Sequence, residues 1–368
     1  VTHEPGQRPF FNGEGAFSKP KKARKRGRKF NGFISSVEFL EKMQPPDYLV
    51  AGVLLRGSTY TFTGNTGHCK TLIALLMAIK VARGEWFCGR KCQQGTVVIF
   101  AGENPDNVRY QFYGMCSELG IDPYDLPIVW HEGVFDISEA TDRIQYLLGE
   151  YPDLALVVFD SLQAFFLGDD DSLNTAMLDF AADFRSLLEF HPARPVGIIV
   201  AHPVKRAKRD DLLPRGGSAI TNELDGNLTS WVEGNVATFH WLGKLRGIPF
   251  DPIKLESAII KPEYLLDSEG NQMAATVVRP MVESREAELK TEQNRVELAI
   301  LAAVHAEANL SEREIAVKAQ TSRSTARRTV DRLREKKWMR DYSGKLVLTK
   351  EGEKALELGT SEVAGSPA

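Results

Sequence analysis

Apolar positions along the chain follow two rhythms. Four short runs, Thr59–Thr63, Thr96–Ala101, Leu154–Phe159 and Val196–Ala201, are apolar or nearly so and rich in β-branched residues. Continuous runs of this kind predict strands covered on both faces, as in a parallel sheet. Between them lie longer amphipathic segments, Lys70–Arg83, Asp106–Leu119 and Leu173–Glu189, which predict helices. Short strands alternating with helices from about Ser35 to Met281 predict an α/β fold with a mostly parallel sheet and helical crossovers. Val236–Leu242 and Thr276–Arg279 are candidates for later strands.

The rhythm changes beyond that point. Ser284–Asn294 is charged and almost free of apolar residues, so it reads as a linker or as the start of a helix. Three short helical patterns follow, Arg295–Glu307, Ser311–Ala319 and Arg323–Lys336, and then two short strands, Trp338–Tyr342 and Lys345–Thr349. That order is the outline of a winged helix. The expected domains are a disordered basic arm at 1–34, an α/β core at 35–283, a linker at 284–293, a winged-helix module at 294–357 and a disordered tail at 358–368.

Composition narrows the class. With 368 residues, 43% hydrophobic and 26% charged, the chain has the balance of a soluble globular protein and the length of two domains. No stretch approaches the ~18–20 apolar residues of a membrane span, and no apolar signal core opens the chain, so no membrane partner is expected. Four cysteines make no disulfide framework and point to a reducing cytoplasm. Cys88 and Cys92 lack a second pair of ligands and do not suggest zinc.

The net charge of −3, from 46 Lys and Arg against 49 Asp and Glu, conceals segregation. Lys19–Lys29 holds eight basic residues and no acidic one. Such an arm is either a solubilising tail or a segment that binds phosphate backbone by counterion release.

The strongest chemical signal is Gly64-Asn65-Thr66-Gly67-His68-Cys69-Lys70-Thr71, which follows a predicted strand and opens a predicted helix. Phosphate needs inward backbone N–H groups and the positive end of a helix, and this loop provides both. ATP with Mg²⁺ is the expected ligand: Lys70 neutralises the β/γ-phosphates and Thr71 ligates the metal. Cys69 stands where the pattern has its second Gly, so it either crowds the diphosphate or holds a conformation that Gly adopts more easily.

Three strand ends add to this loop. Asp160, after Leu154–Phe159, is expected on the Mg²⁺ side. Glu103, after Thr96–Ala101, either orients the attacking water or ends a strand in a solvated turn. His202, after Val196–Ala201, either senses the γ-phosphate or is a hydrogen-bonded strand-end residue. The next loop carries Lys205, Arg206, Lys208 and Arg209, a basic run suited to a nucleic-acid backbone or simply to solvent.

Together these residues resemble the RecA/DnaB-type P-loop ATPases, especially the RepA-type plasmid replication helicases, over about Asp47 to Met281. The resemblance rests on the phosphate loop, Ala101-Gly-Glu-Asn104, Val157-Val-Phe-Asp160, Ala201-His-Pro203 and Arg215-Gly-Gly-Ser218. It implies a RecA-like core in a homo-oligomeric, hexameric ring with ATP between subunits and single-stranded DNA in the pore. Glu103 takes the catalytic role in that resemblance. Lys244 and Arg246, in Trp241–Gly247, match the Lys-x-Arg hairpin that reaches a neighbour's γ-phosphate, with Arg215 the competing candidate.

The third helix of the C-terminal module displays Arg323, Thr325, Arg327 and Arg328 near its start, where such a helix reaches base edges and phosphates of duplex DNA. Winged helices also dock on proteins. Two functional readings follow: an ATP-hydrolysing motor on DNA in plasmid, phage or mobile-element replication, or a nucleotide-switched DNA-binding protein with little turnover.

Overall fold

Buried runs of β-branched and aromatic residues cannot leave their backbone groups unpaired, so they assemble side by side. In the computed structural model the residues described are 32–41, 43, 45–166, 174–281, 283–307, 310–342 and 345–364. The basic arm expected at 1–34 therefore falls almost wholly outside them. The chain divides into two units, Val1–Pro45 and Pro46–Ala368. In the first, α1 (Ser36–Glu41) is capped by the Ser35 hydroxyl, which accepts the Glu38 N–H at 3.2 Å.

The second unit is built on nine strands: β1 (Thr59–Thr63), β2 (Thr96–Ala101), β3 (Ile128–Glu132), β4 (Leu154–Asp160), β5 (Val196–Ala201), β6 (Gly226–Glu233), β7 (Val236–Leu245), β8 (Ile253–Ile260) and β9 (Ala275–Pro280). They form one sheet in the order β9-β8-β7-β6-β1-β5-β4-β2-β3. The six from β6 to β3 run parallel and the last three are added antiparallel. This is the mostly parallel α/β core that the apolar runs predict. Strands β3, β6 and β8 were not among the expected ones. β6 is hidden because its polar residues (Asn227, Thr229, Ser230) are buried and paired rather than solvated.

Helices cover both faces. α2 (Lys70–Arg83) and α3 (Pro105–Leu119) lie on one side, and α4 (Ile137–Leu148), α5 (Leu162–Phe165) and α6 (Asn174–Glu189) contribute to the other. α2 buries eleven of its fourteen residues, as an all-round apolar helix must. The second face is packed with aromatic rings, with Phe100 stacked on Phe159 at 4.2 Å and Phe165 edge-on to Phe159 at 5.0 Å. A short helix, α7 (Gly217–Glu223), precedes β6.

Of the two readings of Ser284–Asn294, the structure meets the second, the start of a helix, and not the linker placed at 284–293: α8 runs unbroken from Glu283 to Ala306, a stretch of strong helix formers with neither Gly nor Pro. The tail expected to be disordered from 358 is helical as far as Ala364, in α11 (Lys350–Ala364), and only 365–368 lie outside the described residues. Between these helices come α9 (Glu312–Lys318), α10 (Arg323–Glu335) and the hairpin of β10 (Met339–Tyr342) and β11 (Lys345–Leu348). Ser311 and Glu314 close a reciprocal capping box at α9. Ile300, Leu301, Ala326 and Leu333 form a separate apolar core beneath the hairpin. Glu297, buried in this part, is neutralised by Arg332 at 2.8 Å and Lys336 at 2.8 Å.

Among the described residues, no helix is long and apolar enough to cross a membrane. Phe159→Ala should lower the unfolding free energy by about 3–5 kcal/mol, read as a shift of the denaturant midpoint with unchanged slope.

Candidate nucleotide-binding site

The parallel register brings four strand ends to one edge. Thr63 pairs with Ala201, Asp160 with Val200, and Ala101 with Asp160. The phosphate loop, Glu103, Asp160 and His202 are thereby neighbours, although nearly 140 residues of chain separate Gly64 from His202.

The loop leaves β1 at Thr63 and enters α2 at Lys70. Gly64 lies so near β6 that a Cβ there would stand 2.7 Å from Ser230 O. Cys69 is the N-cap of α2 and sits in the left-handed region, φ 58° and ψ 19°, without a side-chain cap. Of the two sequence-level alternatives for Cys69, its backbone therefore meets the second, the conformation that Gly adopts more easily. Its side chain shares the cleft lining with Ser257 of β8 and packs against the main core. The first N–H groups of α2 have no side-chain acceptor at the cap and are available to an anion.

His68 ties the loop to β6. Its Nδ1 accepts the Val232 N–H at 3.3 Å, its carbonyl accepts the Ser230 hydroxyl at 2.5 Å, and its ring meets Trp231 edge-on at 4.8 Å. Burial, and then the nearby Lys70 charge, pushes its pKa down and favours the neutral ring.

Lys70 is buried and donates to Gly64 O at 2.7 Å and Asn65 O at 3.0 Å. Burial pulls its pKa down, opposed by the Asp160 and Glu103 carboxylates. The Thr71 hydroxyl donates to Asp160 Oδ2 at 2.7 Å. Asp160 is itself buried, and desolvation raises its pKa against the Thr71 bond. Glu103 is half-exposed, accepts the Ser161 hydroxyl, and stands 3.8 Å from His202 Nε2. The His202 contact chiefly, with Ser161, holds the Glu103 carboxyl below the usual range.

These groups line a cleft of about 380 Å³ that also includes Asn107, Gln111, Ser161 and Ser257. Sequence reasoning passed over all four. Ser161 follows Asp160 directly, and Asn107 and Gln111 follow Glu103 at helical spacing, so a helix-face signal was present. Gln111 Oε1 is buried with no hydrogen-bond partner. That orphaned acceptor, the helix terminus and the Thr71–Asp160 donor set fit a magnesium nucleotide. Among the described residues no group of three or more His, Cys, Asp or Glu is arranged to hold a metal by itself, so phosphate oxygens and water would complete the shell.

The remaining expected residues are more scattered. Arg215 adjoins His202, donating its backbone N–H to His202 O at 2.9 Å. Lys244 and Arg246 lie at the opposite end of the strands, since Leu245 pairs with Gly226 and Thr229 with the loop-side Thr63. There Arg246 meets the buried Asp225 at 2.7 Å, and Lys244 donates to Asn222 O at 2.6 Å. Lys205, Arg206 and Lys208 are exposed. Arg209 pairs with Glu233 at 3.2 Å, and Arg328 Nη1 donates to Gly234 O at 3.4 Å. Two arginines from distant segments thus converge on one β6–β7 turn. Arg323 and Arg327 are well exposed beside Glu312, and Thr325 bonds the Ser322 cap.

The Cys69 thiol, pushed up by burial, should stay protonated at neutral pH. Its alkylation by iodoacetamide, followed by peptide mass mapping, should be slow at pH 7, reach half-maximum above the ordinary thiol value of about 8.5, and slow further when magnesium nucleotide fills the cleft.

No curated protein matches the chain. A family model described as an AAA domain matches residues 32–208, a span holding the phosphate loop, Glu103, Asp160 and His202. The match supports a nucleotide-binding P-loop ATPase core of α/β type.

Proposed function

We propose that the chain is an ATP-hydrolysing motor of the RecA/DnaB type that acts on DNA, in the replication of a plasmid, phage or mobile element. The observation carrying this reading is the convergence of Lys70, Thr71, Asp160 and Glu103 on one cleft, although they come from three separate strand ends. Lys70 and the first N–H groups of α2 hold the phosphates. Thr71 and Asp160 would hold Mg²⁺, which when bound draws charge from the phosphate oxygens. Glu103, kept ionised by His202 and Ser161, orients the attacking water and accepts its proton. His202 reports the state of this carboxylate to the loop that begins at Pro203.

The distance of Lys244 and Arg246 from their own cleft supports a role toward a neighbouring subunit in a ring. Arg246 is 60% exposed despite its pairing with Asp225, so it has room to exchange partners. The C-terminal module is read as a winged helix, with Arg323 and Arg327 on duplex DNA and with Arg209 and Arg328 leaving the β6–β7 turn when DNA arrives.

A second reading, a nucleotide-dependent switch with little turnover, draws on Cys69 and on Lys70, whose ammonium is satisfied by loop carbonyls. A DNA-dependent ATPase assay separates the two. The motor reading expects turnover by the wild type that single-stranded DNA stimulates; turnover confined to Cys69→Gly would leave the switch.

Three outcomes follow for variants. Glu103→Gln should bind ATP with near wild-type affinity and lose at least a hundredfold in turnover, as measured by nucleotide titration beside phosphate release. Because the Glu103 carboxyl lies below its ordinary value, turnover should persist as pH falls toward that value. Ser161→Ala removes a stabiliser of the charged form, so it should move the acid limb of the pH–rate profile upward. Replacing both Arg323 and Arg327 by Ala should weaken duplex binding. The slope of log affinity against log salt should fall by about one for each phosphate that these arginines neutralise.

A further inference from the structure

β3 ends the sheet, and among the described residues β2 is its only paired neighbour. Pro127 O accepts the Val97 N–H at 3.0 Å, and Gly133 N–H donates to Ala101 O at 3.2 Å. Alternate residues of a parallel strand turn their backbone groups the same way. Val129 and His131 therefore face β2, and the amides of Trp130 and Glu132 face outward.

Side chains alternate across the sheet as well, and each face of this edge opens into a groove. Val129 and His131 line one of about 340 Å³, walled by Ala140 and Ile144 of α4 and by Phe100. Trp130 and Glu132 line another of about 570 Å³, beside Tyr110 and Tyr113 of α3. Large apolar residues that line them stay open to solvent, Tyr124 at 93% in the second groove and Leu147 at 42% in the first. An edge strand with outward amides and apolar grooves on both faces is a template for a further strand.

Charge selects the occupant. From Pro105 to Asp153, across α3, β3 and α4, the chain carries ten carboxylates and two arginines, Arg109 and Arg143. Arg109 pairs with Asp106 and Glu132, which leaves the edge acidic through the other carboxylates. We propose that β3 accepts an extended segment of a partner protein in which aliphatic residues alternate with Lys or Arg. Its aliphatic side chains fill the α4 groove. Its cationic side chains lie over Trp130 and Tyr110 with their heads toward the surrounding carboxylates. A nucleic-acid strand is repelled by the same charge. This surface owes nothing to the nucleotide cleft and stands apart from the proposed motor function.

The test uses the full chain and a fluorescein-labelled twelve-residue peptide alternating valine with lysine, followed by anisotropy at low salt. Saturable binding is expected. N-methylating the peptide amides on one edge should weaken it at least tenfold, while methylating the other edge leaves it within twofold. Ala140→Phe, which fills the α4 groove, should also cost at least tenfold, and a valine–glutamate peptide should not bind. Absence of binding, equal loss on methylating either edge, indifference to Ala140→Phe, or equal binding of the glutamate peptide would each overturn the proposal.

Discussion

One buried carboxamide holds the parallel and antiparallel halves of the sheet in register. Asn227 of β6 accepts the hydroxyls of Thr61 at 2.9 Å and Thr63 at 2.7 Å through Oδ1, and its Nδ2 donates to Leu212 O and Leu242 O. All its hydrogen-bonding capacity toward β1 and β7 is used, so a slip of β6 along β1 would strand several buried polar groups at about 1–3 kcal/mol each. The rest of the loop geometry depends on that register. Ser230 O bounds Gly64, and Ser230 and Val232 hold His68.

β6 also links the two ends of the molecule's chemistry. Its C-terminal end touches the phosphate loop and continues into the turn that receives Arg209 and Arg328. Its N-terminal end adjoins Asp225, which accepts the Thr59 N–H and forms an ion pair with Arg246. A nucleotide that displaced His68 would therefore strain a strand whose next turn holds arginines from the basic loop and from α10. Coupling of this kind needs differential contact in two states; the His68 contacts at Ser230 and Val232 and the arginine contacts at Glu233 and Gly234 lie side by side at the C-terminal end of the strand.

The two carboxylates are set apart by their surroundings. Asp160, buried, is pushed up by desolvation and is held by the Thr71 hydroxyl, whereas Glu103, half-exposed, is pulled down by His202 and Ser161. Opposed shifts of two acids at one edge agree with the two roles proposed for them, one toward metal and one toward water.

The sequence by itself determined the strands flanking the cleft, the phosphate loop and the residues at the strand ends. Those signals are local: a run of apolar residues must be buried, and a Gly-rich turn into a helix exposes N–H groups wherever it occurs. Tertiary structure alone decided the rest. Ser161 and Gln111 join the cleft, and Lys244 and Arg246 come to the opposite end of the strands, because of a register set between strands far apart in the chain. β6 escaped notice because polar residues such as Asn227 read as solvated until partners from β1 satisfy them. The segment at 284–293 left two readings open for a related reason: a charged run resembles a linker, whereas helix propensity joins it to the apolar turns that follow in α8. Pattern reports what a residue needs; only packing decides which neighbour meets that need.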